Sequence, residues 1–237
     1  MDKILISFNK CCGCDKMNKV LCTFGIGEHE RLLEHSFPLM QKYAKKHNFD
    51  TYTRTTTTKF KDEPHFEKIQ IILDLMNDYD YIFYLDVDIL FNNFDKNIMD
   101  FVKDNVWLYI VQEPLGYYNS GVMLIKTCKE SRLFFEEVIN IKEKVYEDPN
   151  WENLRNIWYD QACILKLLGV VVIKKENYKT YISESPYNKN LFILPNEWNR
   201  IVAYENAKKE DIIIHYAGAI PFNTKIECIK NKRYHWK

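Results

Sequence analysis

Apolar residues fall in two alternating kinds of run along this chain. Val20 to Phe24 (VLCTF) is a short continuous apolar run ending in Gly25-Ile26-Gly27, which predicts a buried strand and a tight loop. A helical pattern follows to about His47, and Pro38 is expected to restart the helix after Ser36. Phe49 to Thr58 reads as extended. Phe66, Ile69, Leu73 and Met76 share one helical face, so an amphipathic helix is predicted from about His65 to Asn77. Tyr81 to Leu85 (YIFYL) is apolar throughout, as a central strand covered on both faces would be.

The second half continues in kind. Strands are predicted at Val106 to Val111, Val122 to Ile125, Val170 to Ile173, Leu191 to Leu194 and Ile212 to Ile214. Helices are predicted through Leu133, Phe134, Val138, Ile141 and Val145, and from Asp160 to Leu168 with Gly169 as its stop. Strand and helix alternate from Lys19 onward with no linker, repeat or low-complexity run. The expected architecture is α/β: one domain over 1–237 with a mostly parallel central sheet flanked by helices, an N-terminal extension (1–18) and a basic tail (222–237). The tail from Lys225 onward reads as a solvated terminus. In such sheets ligands bind beyond the carboxyl ends of the strands.

Composition narrows the partners. Lys plus Arg and Asp plus Glu both total 33, so formal net charge is zero and no global field favours nucleic acid. No apolar run approaches the roughly 18 residues of a membrane span, and the start is too short for a signal peptide. A soluble, intracellular protein is expected. Four of seven cysteines (Cys11, Cys12, Cys14, Cys22) crowd the N-terminus without the paired C-x-x-C spacing of structural zinc, so free thiols are expected.

The segment Tyr81-Ile-Phe-Tyr-Leu-Asp86-Val-Asp88 carries the strongest chemical signal. Two carboxylates at i and i+2 on extended backbone point to one side. Directly after a buried strand, such charge is costly unless paired or metal-bound. Two hard oxygen donors suit Mg²⁺ or Mn²⁺, which can also bridge a diphosphate. A solvated turn is the plain alternative. A strand ending in Asp-x-Asp also admits a haloacid-dehalogenase-like phosphatase with Asp86 as nucleophile, but that motif belongs on a first strand, and here some 80 residues precede it.

Further pieces follow in order: Asn119-Ser120-Gly121 before an apolar strand, Asp160-Gln161 opening a helix, Leu194-Pro195-Asn196-Glu197-Trp198-Asn199, and His215-Tyr-Ala-Gly218 after a strand. This order, from about Lys19 to Pro221, resembles nucleotide-sugar-dependent glycosyltransferases of the GT-A fold. It is most similar to the glycogenin-like and galactosyl/xylosyltransferase-like retaining groups.

The resemblance implies that Asp86, Asp88 and His215 hold Mn²⁺, with Mg²⁺ possible, and that the metal grips the diphosphate of a UDP-sugar. An imidazole ligand tilts the choice towards Mn²⁺. The resemblance further implies nucleotide contacts from Thr23, Phe24, Gly25, Arg54, Lys68, Asp86, Val87 and Gly218. Asn119, Asp160 and Gln161 match positions that hold the transferred sugar around its anomeric carbon. The acceptor would be a glycan or glycoprotein, and transfer would be retaining; an inverting enzyme would need a base, for which Glu113 or Asp160 could serve. The chain departs from the glycogenin-like pattern in one place: no Lys follows His215-x-x-Gly218 at the usual spacing. Lys225 and Lys68 are the candidate replacements, although each alone reads as a solvated surface residue. The other five histidines (His29, His35, His47, His65 and His235) read as surface or packing residues. A catalytically inactive nucleotide-sugar-binding module is the remaining alternative.

Overall fold

The computed structural model describes residues 17–151, 159–173, 179–218 and 220–233. Cys11, Cys12 and Cys14 lie outside them, while Cys22, Cys128, Cys163 and Cys228 are free thiols.

Six strands form the central sheet in the order β2-β1-β3-β6-β5-β9. They are β1 (Lys19–Phe24), β2 (Asp50–Arg54), β3 (Tyr81–Leu85), β5 (Leu108–Gln112), β6 (Tyr118–Lys126) and β9 (Leu191–Leu194). The pairings make β6 alone run against the other five, so the sheet is mostly parallel as expected. Both faces are apolar, with strict period-two alternation. Tyr81, Phe83 and Leu85 of β3 enter one core, and Ile82 and Tyr84 enter the other. Helix α1 (Glu30–His47) covers the first face. Helices α2 (Glu67–Leu75), α3 (Lys129–Asn140) and, after Tyr159, Asp160–Leu167 cover the second. A short helix, α4 (Lys142–Glu147), follows α3, so Asp160–Leu167 is α5. Full burial of a ring such as Phe83 contributes about 1.5–3 kcal/mol.

A second sheet, β10-β11-β4, brings distant segments to the edge of the first. Its strands are β10 (Arg200–Ile201), β11 (Ile213–His215) and β4 (Ile89–Phe91). The hairpin-like pair β7 (Val170–Ile173) and β8 (Lys179–Ile182) stands apart. Gly169, at φ +81°, turns the chain from α5 into β7, where a Cβ would meet the Ser183 carbonyl at 2.3 Å.

Three expectations change. Helix α1 runs unbroken through Pro38, and the Ser36 hydroxyl donates to the Leu32 carbonyl at 3.0 Å within it. Asn119-Ser120-Gly121 is not a turn ahead of a strand but part of β6, which pairs with β5 across a register shift between Ile110 and Val111. Residues 222–231 are not a solvated tail: Phe222–Asn231 forms helix α6, whose Ile226, Cys228 and Ile229 join the core beside α1.

Candidate active site

Strand register assembles the site. Leu85 pairs with Val122 and the Asp86 amide donates to the Gly121 carbonyl at 2.8 Å, so Asp86 emerges beside the middle of β6. Ile89 pairs with His215 across β4 and β11, and the Tyr216 amide donates to the Asp88 carbonyl at 3.0 Å. Asp86 to Asp88 is therefore a turn between two strands rather than extended backbone. The two carboxylates converge because β3 and β4 belong to different sheets, not because of strand alternation.

Asp86, Asp88 and His215 present ligand atoms that all lie within 4.8 Å of one another. His215 Nε2 is 3.1 Å from Asp88 Oδ1 and 3.9 Å from Asp86 Oδ2. Its Nδ1 lies 2.9 Å from Asn199 Oδ1. The set fits a divalent cation: two carboxylates and one imidazole nitrogen converge, and the ring's far nitrogen already has a hydrogen-bond partner. Gly121 makes room for it. A Cβ there would stand 2.3 Å from His215 Cε1 and 2.7 Å from Asp86 Oδ2.

Two lysines surround the carboxylates. Lys225, on α6, reaches Asp88 Oδ2 at 2.8 Å. Lys68, on α2, reaches Asp160 Oδ2 at 2.9 Å, Asp86 Oδ1 at 3.3 Å and the Ser120 hydroxyl at 3.3 Å. Both are buried, contrary to the surface reading. Burial works to raise the Asp88 carboxyl, but His215 and Lys225 outweigh it and hold it well below the usual carboxylate range. Burial lifts Asp160 to about 6 against the pull of Lys68, with Asp86 adding to the rise. Burial lowers the Lys68 ammonium, yet Asp160 and Asp86 reverse the sign and hold it raised.

Two cavities meet at this cluster. One, of about 430 Å³, is lined by Phe24, Gly25, Ile26, His29, His65 and Val87, among others. The second, of about 240 Å³, is lined by Glu113, Tyr117, Asn119, Gln161, Tyr204 and Gly218, among others. Lys68, Asp86, Asp88, Tyr159 and Asp160 line both. A bipartite cleft thus has its acidic and cationic groups at the seam.

Most sequence-predicted residues converge here. Phe24, Gly25, Val87 and Lys68 face the larger cavity, and Gly218, Asn119, Asp160 and Gln161 face the smaller. Arg54 does not join them. Its guanidinium is bound by Glu67 at 2.7 Å and Asp74 at 2.9 Å, and it lines neither cavity. Thr23 is fully buried in β1 and lines neither as well. Gln161 Oε1 accepts from the Ser120 amide at 2.9 Å, fixing which end of its amide faces the cleft. Sequence reasoning missed His29, His65 and Tyr159 as lining residues. It also assigned no role to Asn199, although the Leu-Pro…Asn segment contained it.

Comparison with known proteins agrees with this geometry. Residues 21–113 match the model of the galactosyl transferase GMA12/MNN10 family. No curated protein matches the sequence. Among solved structures, a glycosyltransferase involved in the glycosylation of the major capsid of PBCV-1 superposes with TM-score 0.66 at 16% identity. The alignment covers 90% of this chain and 99% of that one. GlyE of Streptococcus pneumoniae TIGR4 gives 0.56 at 14% identity, over 91% of this chain and 63% of that one. The galactosyltransferase LgtC, solved in complex with donor and acceptor sugar analogs, gives 0.51 at 10% identity, over 90% and 95%. At such identities the structural likeness is one of fold, which rules out the phosphatase architecture that Asp86 alone admitted. The chain thus has the GT-A fold of these glycosyltransferases, and its residues 21–113 are similar in sequence to a galactosyl transferase family.

Proposed function

We propose that this protein transfers a sugar, hexose or pentose, from a nucleotide-sugar to a glycan or protein acceptor, with a divalent cation held by Asp86, Asp88 and His215. The observation that carries this reading is the seam: the convergent donor set lies where the two cavities meet. The larger cavity suits a nucleoside diphosphate. Phe24 and Ile26 offer apolar surface for a base, and Lys68 brings positive charge to the seam. Lys225 lines neither cavity and is bound to Asp88, so Lys68 is the cationic group we assign to the diphosphate. When bound, the cation would neutralise charge on the departing diphosphate as a Lewis acid. UDP is the nucleotide we infer, and the imidazole ligand favours Mn²⁺ over Mg²⁺.

The smaller cavity would hold the sugar and admit the acceptor. Gln161 presents its amide there, and Tyr117 and Tyr204 present aromatic surface. Two carboxylates outside the metal set line it. Glu113 Oε1 accepts from Asn119 at 2.7 Å, and Asp160 pairs with Lys68 at 2.9 Å. An inverting transfer needs a carboxylate available to take the acceptor proton. We infer retention from the resemblance to retaining glycosyltransferases, in which the departing diphosphate rather than a side chain takes that proton.

No helix among the described residues is long and apolar enough to cross a membrane. We infer action on soluble donor in the cytoplasm. Incubation with a panel of nucleotide-sugars, read by mass spectrometry, tests the reading. Slow metal-dependent release of UDP from one sugar supports it, with UDP-galactose the first donor to try given the family match. Tight binding of UDP-sugars with no turnover on water or any acceptor would leave an inactive binding module instead.

A further inference from the structure

Below His215 runs a buried chain of amides whose polarity can be read from one end. The Gly121 backbone N–H, which can only donate, lies 2.9 Å from Asn119 Oδ1. The other end of that amide, Nδ2, lies 2.7 Å from Glu113 Oε1. Both ends of Asn119 are therefore fixed: oxygen towards an N–H, nitrogen towards a carboxyl. The Asn199 atom 2.8 Å from Asn119 Oδ1 must then be its Nδ2, since two carbonyl oxygens would repel there. That leaves Asn199 Oδ1 facing His215 Nδ1 at 2.9 Å. An amide oxygen only accepts, so Nδ1 must carry hydrogen. The opposite nitrogen, Nε2, is the one that faces Asp88 Oδ1 at 3.1 Å and Asp86 Oδ2 at 3.9 Å.

We propose that Asn199, polarised by Asn119 and the Gly121 amide, is the positioning residue that fixes the His215 tautomer and aims Nε2 at the two aspartates. The proposal rests on the metal-site reading above and deepens it. It also gives Asn119 a task different from holding the transferred sugar: its oxygen and one amide hydrogen are already spent inside the protein. Asn119 is 6%, Asn199 2% and His215 2% exposed, so water does not substitute for a missing partner at low cost. Gly121 begins the chain of hydrogen bonds and, lacking a Cβ, also lets the imidazole approach β6.

The test has two arms. In the first, ¹⁵N NMR of the metal-free wild-type protein reads the protonation of each His215 nitrogen. The expected result is a protonated Nδ1, and an unprotonated Nδ1 overturns the proposal. In the second, Mn²⁺ affinity is measured by electron paramagnetic resonance for wild type, Asn199→Asp and Asn199→Leu. Asn199→Asp keeps an oxygen acceptor for Nδ1 but sets a second oxygen against Asn119 Oδ1, so it should weaken binding less than about tenfold, whereas Asn199→Leu, which removes the acceptor, should weaken it about 10–100-fold. Equal weakening by both variants, or none by Asn199→Leu, overturns the proposal. If the leucine variant fails to fold, the NMR arm decides. If wild-type protein binds no Mn²⁺, the metal reading itself falls, while the NMR arm still decides the polarity of the amide chain.

Discussion

Lys68 Nζ lies 2.9 Å from Asp160 Oδ2, and the two side chains are only 7% and 8% exposed. A pair so buried contributes less by attraction than either member would cost alone. Lys68→Met is expected to destabilise the fold by about 3–5 kcal/mol, because Asp160 and Asp86 lose the ammonium between them. Adding Asp160→Asn should recover part of that loss. Urea unfolding of the single and double variants measures both.

Gly121 is the tightest steric constraint at the site. Gly121→Ala places a methyl 2.3 Å from His215 Cε1 and 2.7 Å from Asp86 Oδ2. Moving the imidazole aside should weaken metal binding about 100-fold, a displaced ligand being at least as damaging as a lost outer partner. The stability cost should be roughly 1–3 kcal/mol. Metal titration and thermal unfolding of the one variant separate the two effects.

His65 lines the larger cavity, with its ring 4.2 Å from that of Tyr159. Burial lowers its imidazole from 6.5 to about 4, with Glu63 opposing the fall and Lys68 and Lys142 adding to it. The unfolded chain therefore binds this proton over a range where the folded chain does not. Stability contributed by His65 is full above pH 6.5 and is lost as pH falls from 6.5 towards 4. The ring is only partly buried, so the contribution is about 1 kcal/mol rather than the roughly 3 kcal/mol of an unscreened shift. His65→Gln should flatten the pH dependence of stability across that window. An unchanged slope between pH 6.5 and 4 would contradict this account.

How much of this was legible in the sequence depends on the range of the interactions. Tyr81–Leu85 was readable to the residue, because a central strand buried on both faces is apolar at every position. Asp86, Asp88 and His215 were readable as a set from their order along the chain, but their convergence depends on the pairing of Ile89 with His215. Nothing local encodes that pairing. Arg54 was misplaced for a similar reason: a cation bound by its own chain looks, in sequence, like one awaiting a phosphate. Its partners Glu67 and Asp74 lie on the next helix. The burial of Lys225 was not readable, since the apolar face that docks α6 against α1 is short. Asn199 carried no signal of its own because its function depends on a neighbour eighty positions away.

We propose that one cation, held by Asp86, Asp88 and His215, joins a nucleoside diphosphate to this fold. Thermal unfolding with UDP and Mn²⁺, separately and together, tests it most directly. At about 100 times the dissociation constant, the pair should raise the melting temperature by roughly 5–10 °C. Mn²⁺ or UDP alone should do much less, and Asp88→Ala should abolish the shift. No shift with any nucleoside diphosphate and divalent metal, or an equal shift in Asp88→Ala, would contradict the account.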